Sequence, residues 1–357
     1  MKIIRLSTLL DFGGIESKMT NLSTYNDDNE WIFCSIGKGG IASNQIKSNL
    51  KKVECFAISY KIPSINTIYK LYKYFKKEKP NVVHCSGSEA NFHGIIAAKL
   101  SQIPIIIAEE IGIPCHSKMA IKIFNVIYKL AGFVVGESQI VIENLKNQYS
   151  ISESKLKVIS NFTLFSDLGK NSSNNDTNEF LVLSVSRLEL VKNIEGVINV
   201  IYKLIHENYK IKYKIVGDGS SKTALINLVK KLNLENDVEF VGFQDNPNQY
   251  YQETNLFVLN SFSEGFSNSL LEAMYHKKPV ISTNVGAASE IINEGINGWI
   301  IPVDNEIELY NKIKTCLLLD KEKRTLIGNN AHETVIKKFS LQSHIDALLQ
   351  LYNSKND

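Results

Sequence analysis

The sequence predicts an α/β protein made of two parallel-sheet domains. Short β-branched runs alternate with longer stretches of helical period, that series occurs twice, and a polar segment separates the two copies. At 357 residues the chain exceeds what one ordinary domain holds, so each half has room for its own core.

In the first half, Lys2 to Leu6, Trp31 to Ser35, Val53 to Ile58, Val82 to Cys85, Ile105 to Ala108 and Phe133 to Val135 read as strands. Amphipathic stretches such as Ile65 to Lys77 and Phe92 to Leu100 are long enough for the crossover helices that parallel strands need. The second half has strand-like runs at Phe180 to Ser186, Tyr213 to Val216, Val238 to Val241, Leu256 to Asn260, Val280 to Thr283 and Trp299 to Ile301. Gly169 to Asn178 has almost no apolar side chain to bury, as expected of a solvated linker. The expected division is a first domain over 1–165, a linker over 166–179, a second domain over 180–338 and a C-terminal helix over 339–357. A return of that helix to the first domain is one course open to it. Two such halves frame a cleft, and ligands of open parallel sheets sit beyond the carboxyl ends of the strands.

Composition narrows the function classes. Hydrophobic residues at 44% and charged residues at 22% suit a soluble globular protein. A formal net charge of +3 lacks the cationic excess that phosphate-backbone binding requires, so no nucleic acid partner is expected. Cys34, Cys55, Cys85, Cys115 and Cys316 form no Cys-x-x-Cys pair and read as reduced thiols of a cytoplasmic protein. The first residues resemble a leader briefly, until Asp11 and Gly13-Gly14 interrupt them. No window reaches the roughly 18 apolar residues of a membrane span. Basic and aromatic residues mix over Tyr69 to Lys77 and again over Lys118 to Lys129, which leaves a peripheral membrane contact open. A crossover helix with a solvated lysine face is the plainer account of the first stretch.

Chemistry concentrates after the run Leu256 to Asn260, in Ser261 to Met274. Gly265 permits a sharp turn and close approach to a ligand. Ser267 suits an N-cap, and the amides of Asn268, Ser269 and Leu270 behind it suit a pyrophosphate. Glu264 lies ahead of that helix and Glu272 within it, so two carboxylates can accept from hydroxyls at different parts of one elongated ligand. For either glutamate alone a solvated surface position is the ordinary reading. Arg187 and Lys192 follow the run Phe180 to Ser186, where cations would neutralise a departing diphosphate without a metal. Gly217 and Gly242 end two further strands, and His116 stands alone in a loop.

Glu264 to Glu272, within Ser263-Glu264-Gly265-Phe266, resembles the E-x7-E signature of retaining glycosyltransferases with the GT-B fold, especially family 4. Other segments follow in the family's order. Ser186-Arg187-Leu188 with Lys192-Asn193 resembles Gly-Arg-Leu with Lys-Gly, Ser186 replacing a glycine. Gly217-Asp218-Gly219 and Gly242-Phe243 resemble the donor-side turns, and Gly286-Ala287 to Glu290 with Asn297-Gly298 resembles Gly-Gly-x-x-Glu with Asn-Gly. Asp11 to Glu16 resembles the first-domain glycine loop, and Val158 to Asn161 the end of that domain, with Phe162 in place of a glycine.

The resemblance implies two Rossmann-like domains facing a cleft and transfer of a hexose or N-acetylhexosamine, with retention, from a UDP or GDP sugar. It assigns catalytic roles to Glu264, Arg187 and Lys192. Donor contacts fall to Gly14, Gly217, Gly242, Phe243, Gly265, Phe266, Ser267, Asn268, Ser269, Leu270 and Glu272. Gly13, Glu110 and His116 become acceptor-side candidates, Glu110 standing near where relatives place a histidine. No metal or other cofactor is implied, the nucleotide sugar being a substrate. The implied acceptor is a lipid-linked or oligosaccharide glycan of bacterial surface polysaccharide synthesis, made at the inner face of the cell membrane. A nucleotide-sugar epimerase of the same fold, or a silent nucleotide-sugar-binding partner of a transferase, remains open beside it.

Overall fold

The computed structural model describes residues 1–114, 116–164 and 179–354, so the expected linker lies outside the described residues except for Glu179, as does Cys115. Two compact units are present: Met1–Leu164 with Leu341–Asp357, and Phe165–Ser340.

The first unit holds a seven-stranded sheet of β1 (Lys2–Ser7), β2 (Glu30–Ser35), β3 (Lys52–Cys55), β4 (Val82–Ser86), β5 (Ile105–Glu110), β6 (Phe133–Gly136) and β7 (Leu156–Val158). Its order is β3-β2-β1-β4-β5-β6-β7 and every pairing is parallel. Helices α1 (Gly14–Ser23), α2 (Ile41–Ser48), α3 (Ile65–Glu78), α4 (Ser88–Leu100), α5 (Lys118–Leu130) and α6 (Gln139–Gln148) make the crossovers. Successive strand side chains point to opposite faces. Ile4, Leu6, Val83 and Ile106 therefore pack with Leu71 and Phe75 of α3 and Ile127 of α5, whereas Ile3, Val82 and Ile107 pack on the other face.

Three expectations are corrected here. β3 ends at Cys55 rather than Ile58, because Ala57 adopts a positive φ of 51° and turns the chain out of line. β7 was not anticipated: only Leu156 of its three residues is buried, so it shows no apolar run. α4 starts at Ser88, four residues before Phe92, after Gly87 at φ 89°.

The second unit holds β8 (Phe180–Val185), β9 (Ile211–Val216), β10 (Val238–Gly242), β11 (Leu256–Leu259), β12 (Val280–Thr283) and β13 (Trp299–Ile301), ordered β10-β9-β8-β11-β12-β13 and again parallel. Its helices are α7 (Ile194–His206), α8 (Lys222–Lys231), α9 (Asn248–Glu253), α10 (Asn268–Tyr275), α11 (Ala288–Ile291), α12 (Glu306–Leu318) and α13 (Lys321–Lys338). The last helix, α14 (Leu341–Asn353), belongs to the first unit, where Ile345 and Leu348 are fully buried against the Ile3 face of the sheet. Each such side chain contributes about 1.5–3 kcal/mol of burial. Among the described residues no helix is long and apolar enough to cross a membrane.

Candidate active site

In the second unit the chain leaves β8 toward β9 on one side, while β11 borders β8 on the other. Loops leaving β8 and β11 therefore diverge, and such a point is where open α/β sheets bind ligands. Both candidate motifs lie on these loops.

The loop after β8 is clasped to the loop after β9. Ser186 N donates to Val216 O at 3.0 Å and Leu188 N to Asp218 O at 2.9 Å. Gly217 has φ 139°, and a Cβ there would stand 1.8 Å from Ser186 O, so only glycine allows this approach. The clasp holds Arg187 at the sheet end, where its side chain is exposed and, among the described residues, makes no hydrogen bond or ion pair.

Lys192 ends a short turn, Leu190–Lys192, and Asn193 at φ 44° caps α7 by accepting from Gly196 N at 3.2 Å. Asn260 Nδ2 donates to Asn193 O at 3.1 Å, and Phe262 N to Val191 O at 2.7 Å, which ties this turn to the loop after β11. The tie brings Lys192 Nζ to 2.5 Å from Glu264 Oε1, which also accepts from Ser261 Oγ at 2.8 Å. At 15% and 12% exposure the two side chains are far better shielded than an ordinary surface pair. Glu264 is thus not the solvated loop glutamate that a lone reading would make it.

The loop after β12 braces Gly265. Gly286 has φ 51°, and a Cβ there would lie 2.2 Å from Gly265 O, while Ala287 N donates to the same oxygen at 3.2 Å. Ala287 itself has φ −80°, so the position after Gly286 does not require glycine. Ser267 caps α10, its Oγ accepting from Leu270 N at 3.3 Å. That bond occupies the Leu270 amide and leaves those of Asn268 and Ser269 at the helix start. Phe266 is half-buried and its ring packs toward Phe339, 5.9 Å between centroids.

Glu272 is held from behind. Tyr251 OH donates to Glu272 Oε2 at 2.8 Å. Burial raises the Glu272 pKa, and the tyrosine's hydrogen bond opposes that rise. Tyr251 is fully buried and stacks on His276 at 5.4 Å and 12°, whose Nε2 lies 3.2 Å from Asn248 Oδ1. The sequence reading missed Tyr251, since nothing in Tyr250-Tyr251 distinguishes it from a core aromatic. At the end of β10, Gly242 has φ 86° and accepts from Gly217 N at 2.9 Å, and beyond it Phe243 is 65% exposed.

In the first unit the same reversal falls between β1 and β4. Gly13 and Gly14 sit there at the start of α1, beside the exposed Phe12, with open space around a Cβ at Gly14. Glu110 is buried, its Oε1 accepting from Asn91 Nδ2 at 2.6 Å and Tyr128 OH at 2.8 Å. Burial pushes its pKa up to about 7 against those two bonds. His116 is half-buried and engaged at both nitrogens: Nδ1 lies 2.7 Å from Tyr149 OH and Nε2 3.0 Å from Ser88 Oγ, with the ring stacked on Phe124. It braces the α4–α5 side of the unit instead of standing free on the surface.

Glu109, next to Glu110, points to the opposite face and joins a buried network absent from the sequence reading. Its carboxylate meets Arg5 Nη2 at 2.8 Å, Lys18 Nζ at 2.6 Å and Ser86 Oγ at 2.6 Å. His84 Nδ1 lies 2.8 Å from both Arg5 Nη1 and Tyr352 OH, which links the network to α14. Desolvation and the Arg5 charge lower the His84 pKa to about 4, leaving the ring neutral.

Residues 166–334 match the family described as glycosyl transferases group 1. A curated relative from Campylobacter jejuni, N-acetylgalactosamine-N,N'-diacetylbacillosaminyl-diphospho-undecaprenol 4-alpha-N-acetylgalactosaminyltransferase, is 30% identical over 61% of this chain and 59% of its own length. The chain thus spans about three fifths of that relative. The capsular polysaccharide biosynthesis glycosyltransferase CapM of Staphylococcus aureus is 26% identical over 81% of each chain. Among solved structures, Anabaena HepE in complex with UDP superimposes with a TM-score of 0.84 at 22% identity, covering 98% of this chain and 99% of that one. This likeness, with the two parallel sheets, establishes the GT-B fold.

Proposed function

Because the chain belongs to the group 1 glycosyl transferases through residues 166–334, we propose that it moves a hexose or N-acetylhexosamine from a UDP or GDP sugar to a hydroxyl of a glycan acceptor, with retention. The observation that carries this reading is the convergence of Lys192, Glu264 and the Ser267-capped start of α10 where the strand order reverses. In this reading Arg187, Lys192 and the amides of Asn268 and Ser269 take the diphosphate. Glu272, fixed by Tyr251, accepts from the ribose, Phe243 covers the base, and Glu264 orients the hexose.

Two cations and a helix start can neutralise the charge growing on the leaving diphosphate. As the anomeric C–O bond to the diphosphate breaks, the diphosphate oxygen takes the acceptor proton on the same face, and the acceptor oxygen bonds to that carbon. Of the relatives named above, one is named for a diphospho-undecaprenol-linked substrate and the other for capsular polysaccharide biosynthesis, which supports a lipid-linked acceptor at the inner membrane face.

Incubation with a panel of UDP and GDP sugars and polyprenyl-diphosphate glycans, read by NMR, tests this. The expected product keeps the α configuration of its donor. An inverted linkage, or an epimerised donor with no glycan product, would overturn the reading.

A further inference from the structure

We propose that Tyr251 is a positioning residue that sets a preference for a ribonucleotide: its hydroxyl holds Glu272 Oε2 and leaves Oε1 to take the vicinal hydroxyls of the ribose. The inference rests on the reading of Glu272 as the ribose contact and adds what makes that contact selective. Tyr251 OH donates to Glu272 Oε2 at 2.8 Å, and among the described residues Oε1 accepts no hydrogen bond. A carboxylate oxygen has two acceptor positions, which two vicinal hydroxyls can fill. A glutamate free to turn would offer either oxygen in several rotamers, and a contact is only as selective as its atom is fixed.

Tyr251 can fix it because Tyr251 is itself held. It is fully buried on α9, stacks on His276 at 5.4 Å and 12°, and sets its ring 5.9 Å from that of Phe257 on β11. Helix α9 is tied to the end of α10 twice: His276 Nε2 meets Asn248 Oδ1 at 3.2 Å, and Lys278 Nζ donates to Gln252 O at 2.8 Å. Phenol and carboxylate therefore sit on two helices that are pinned together. In the reading above, Phe243 serves the base and Tyr251, eight positions on in the sequence, serves the ribose, so one short stretch addresses one nucleoside.

The phenol keeps its proton, since burial and the Glu272 charge both raise its pKa well above the ordinary tyrosine value. Burial raises the Glu272 carboxyl too, and the tyrosine's hydrogen bond opposes that rise. The other titratable groups around the pair act elsewhere. Burial lowers the His276 pKa to about 4, with Lys278 and His332 of α13 adding to it, so the ring stays neutral. Lys214 of β9 pairs with Glu253 at 3.1 Å. Without the phenol the Glu272 carboxyl rises further, and a protonated carboxyl accepts more weakly than a charged one.

The test is calorimetric titration of the full chain with UDP and GDP and with their 2′,3′-dideoxy counterparts. The wild type should bind one ribonucleotide at least about tenfold more tightly than its dideoxy form. Tyr251→Phe should bind that ribonucleotide about tenfold more weakly and the dideoxy form as the wild type does, so the preference disappears. What affinity it retains for the ribonucleotide should fall, on acidification, at a higher pH than in the wild type. Glu272→Gln should lose preference as well, whereas Arg187→Ala should weaken both forms alike. Melting curves check that each variant folds. Should the phenylalanine variant not fold, His276→Gln, which removes the stacked ring and keeps the hydroxyl, is read in its place and should lower the preference about threefold. Wild-type preference and pH profile in Tyr251→Phe, with preference lost in Glu272→Gln, would overturn this inference and leave the functional reading standing. No nucleotide bound by the wild type, no preference for ribose in it, or a preference kept in Glu272→Gln would overturn the reading of Glu272 and this inference with it.

Discussion

Arg187→Ala is expected to lower the turnover number about 100- to 1000-fold, the range seen when one positioned group that stabilises developing charge is removed. The clasp of Gly217 on Ser186 fixes the backbone at Arg187, while the exposed guanidinium makes no side-chain hydrogen bond or ion pair among the described residues and acts on Glu189 through space. A cation carried on a fixed backbone at the sheet end and free of any bonded partner is available to an anion. Removing it strands no buried group, so stability should change by no more than about 0.5 kcal/mol. The loss should fall on turnover and on kcat/KM alike, because the interaction strengthens as the diphosphate departs. Steady-state kinetics beside a melting curve separates this from misfolding: equal turnover in the variant would remove Arg187 from the mechanism.

Glu109→Ala is expected to cost the first unit about 3–5 kcal/mol. Its carboxylate is the ion-pair partner of Arg5 and Lys18 within a buried cluster, and its loss removes the ion pair of both cations, leaving Lys18 only the more distant Glu137. Burial alone would raise the Glu109 pKa, but Lys18 and Arg5 together outweigh it and hold the carboxyl well below the usual value. A depressed folded pKa means the stabilisation is full above the unfolded carboxylate value and fades as pH drops through the folded one. The wild type should therefore keep this contribution at neutral pH and lose it only in acid below the ordinary carboxylate range. Melting temperature against pH checks both points: a variant as stable as wild type at pH 7 would show the network to be dispensable.

The strand series was legible because parallel strands are buried on both faces and read as apolar runs, while β7, with one buried residue at a sheet edge, left no such trace. Around the candidate site, Gly265, Ser267 and the two glutamates were readable from residue type and spacing. What holds them was not: Tyr251 reaches Glu272 from α9, and Asn260 reaches Asn193 across 67 positions. Those contacts depend on strand order, which periodicity does not encode. The Arg5–Glu109 network left one clue, a charged residue inside the apolar first strand, and the partners of Arg5 lie 79 to 347 positions away.

Calorimetric titration with UDP and GDP sugars tests the central claim most directly, with wild type, Glu272→Gln and Glu272→Ala compared. The wild type should bind one of them saturably. The glutamine variant, which can still accept from Tyr251, should bind more weakly, and the alanine variant should lose at least about tenfold in affinity. Equal affinity in all three proteins, or no nucleotide sugar bound by the wild type, would contradict Glu272 as the grip on the donor.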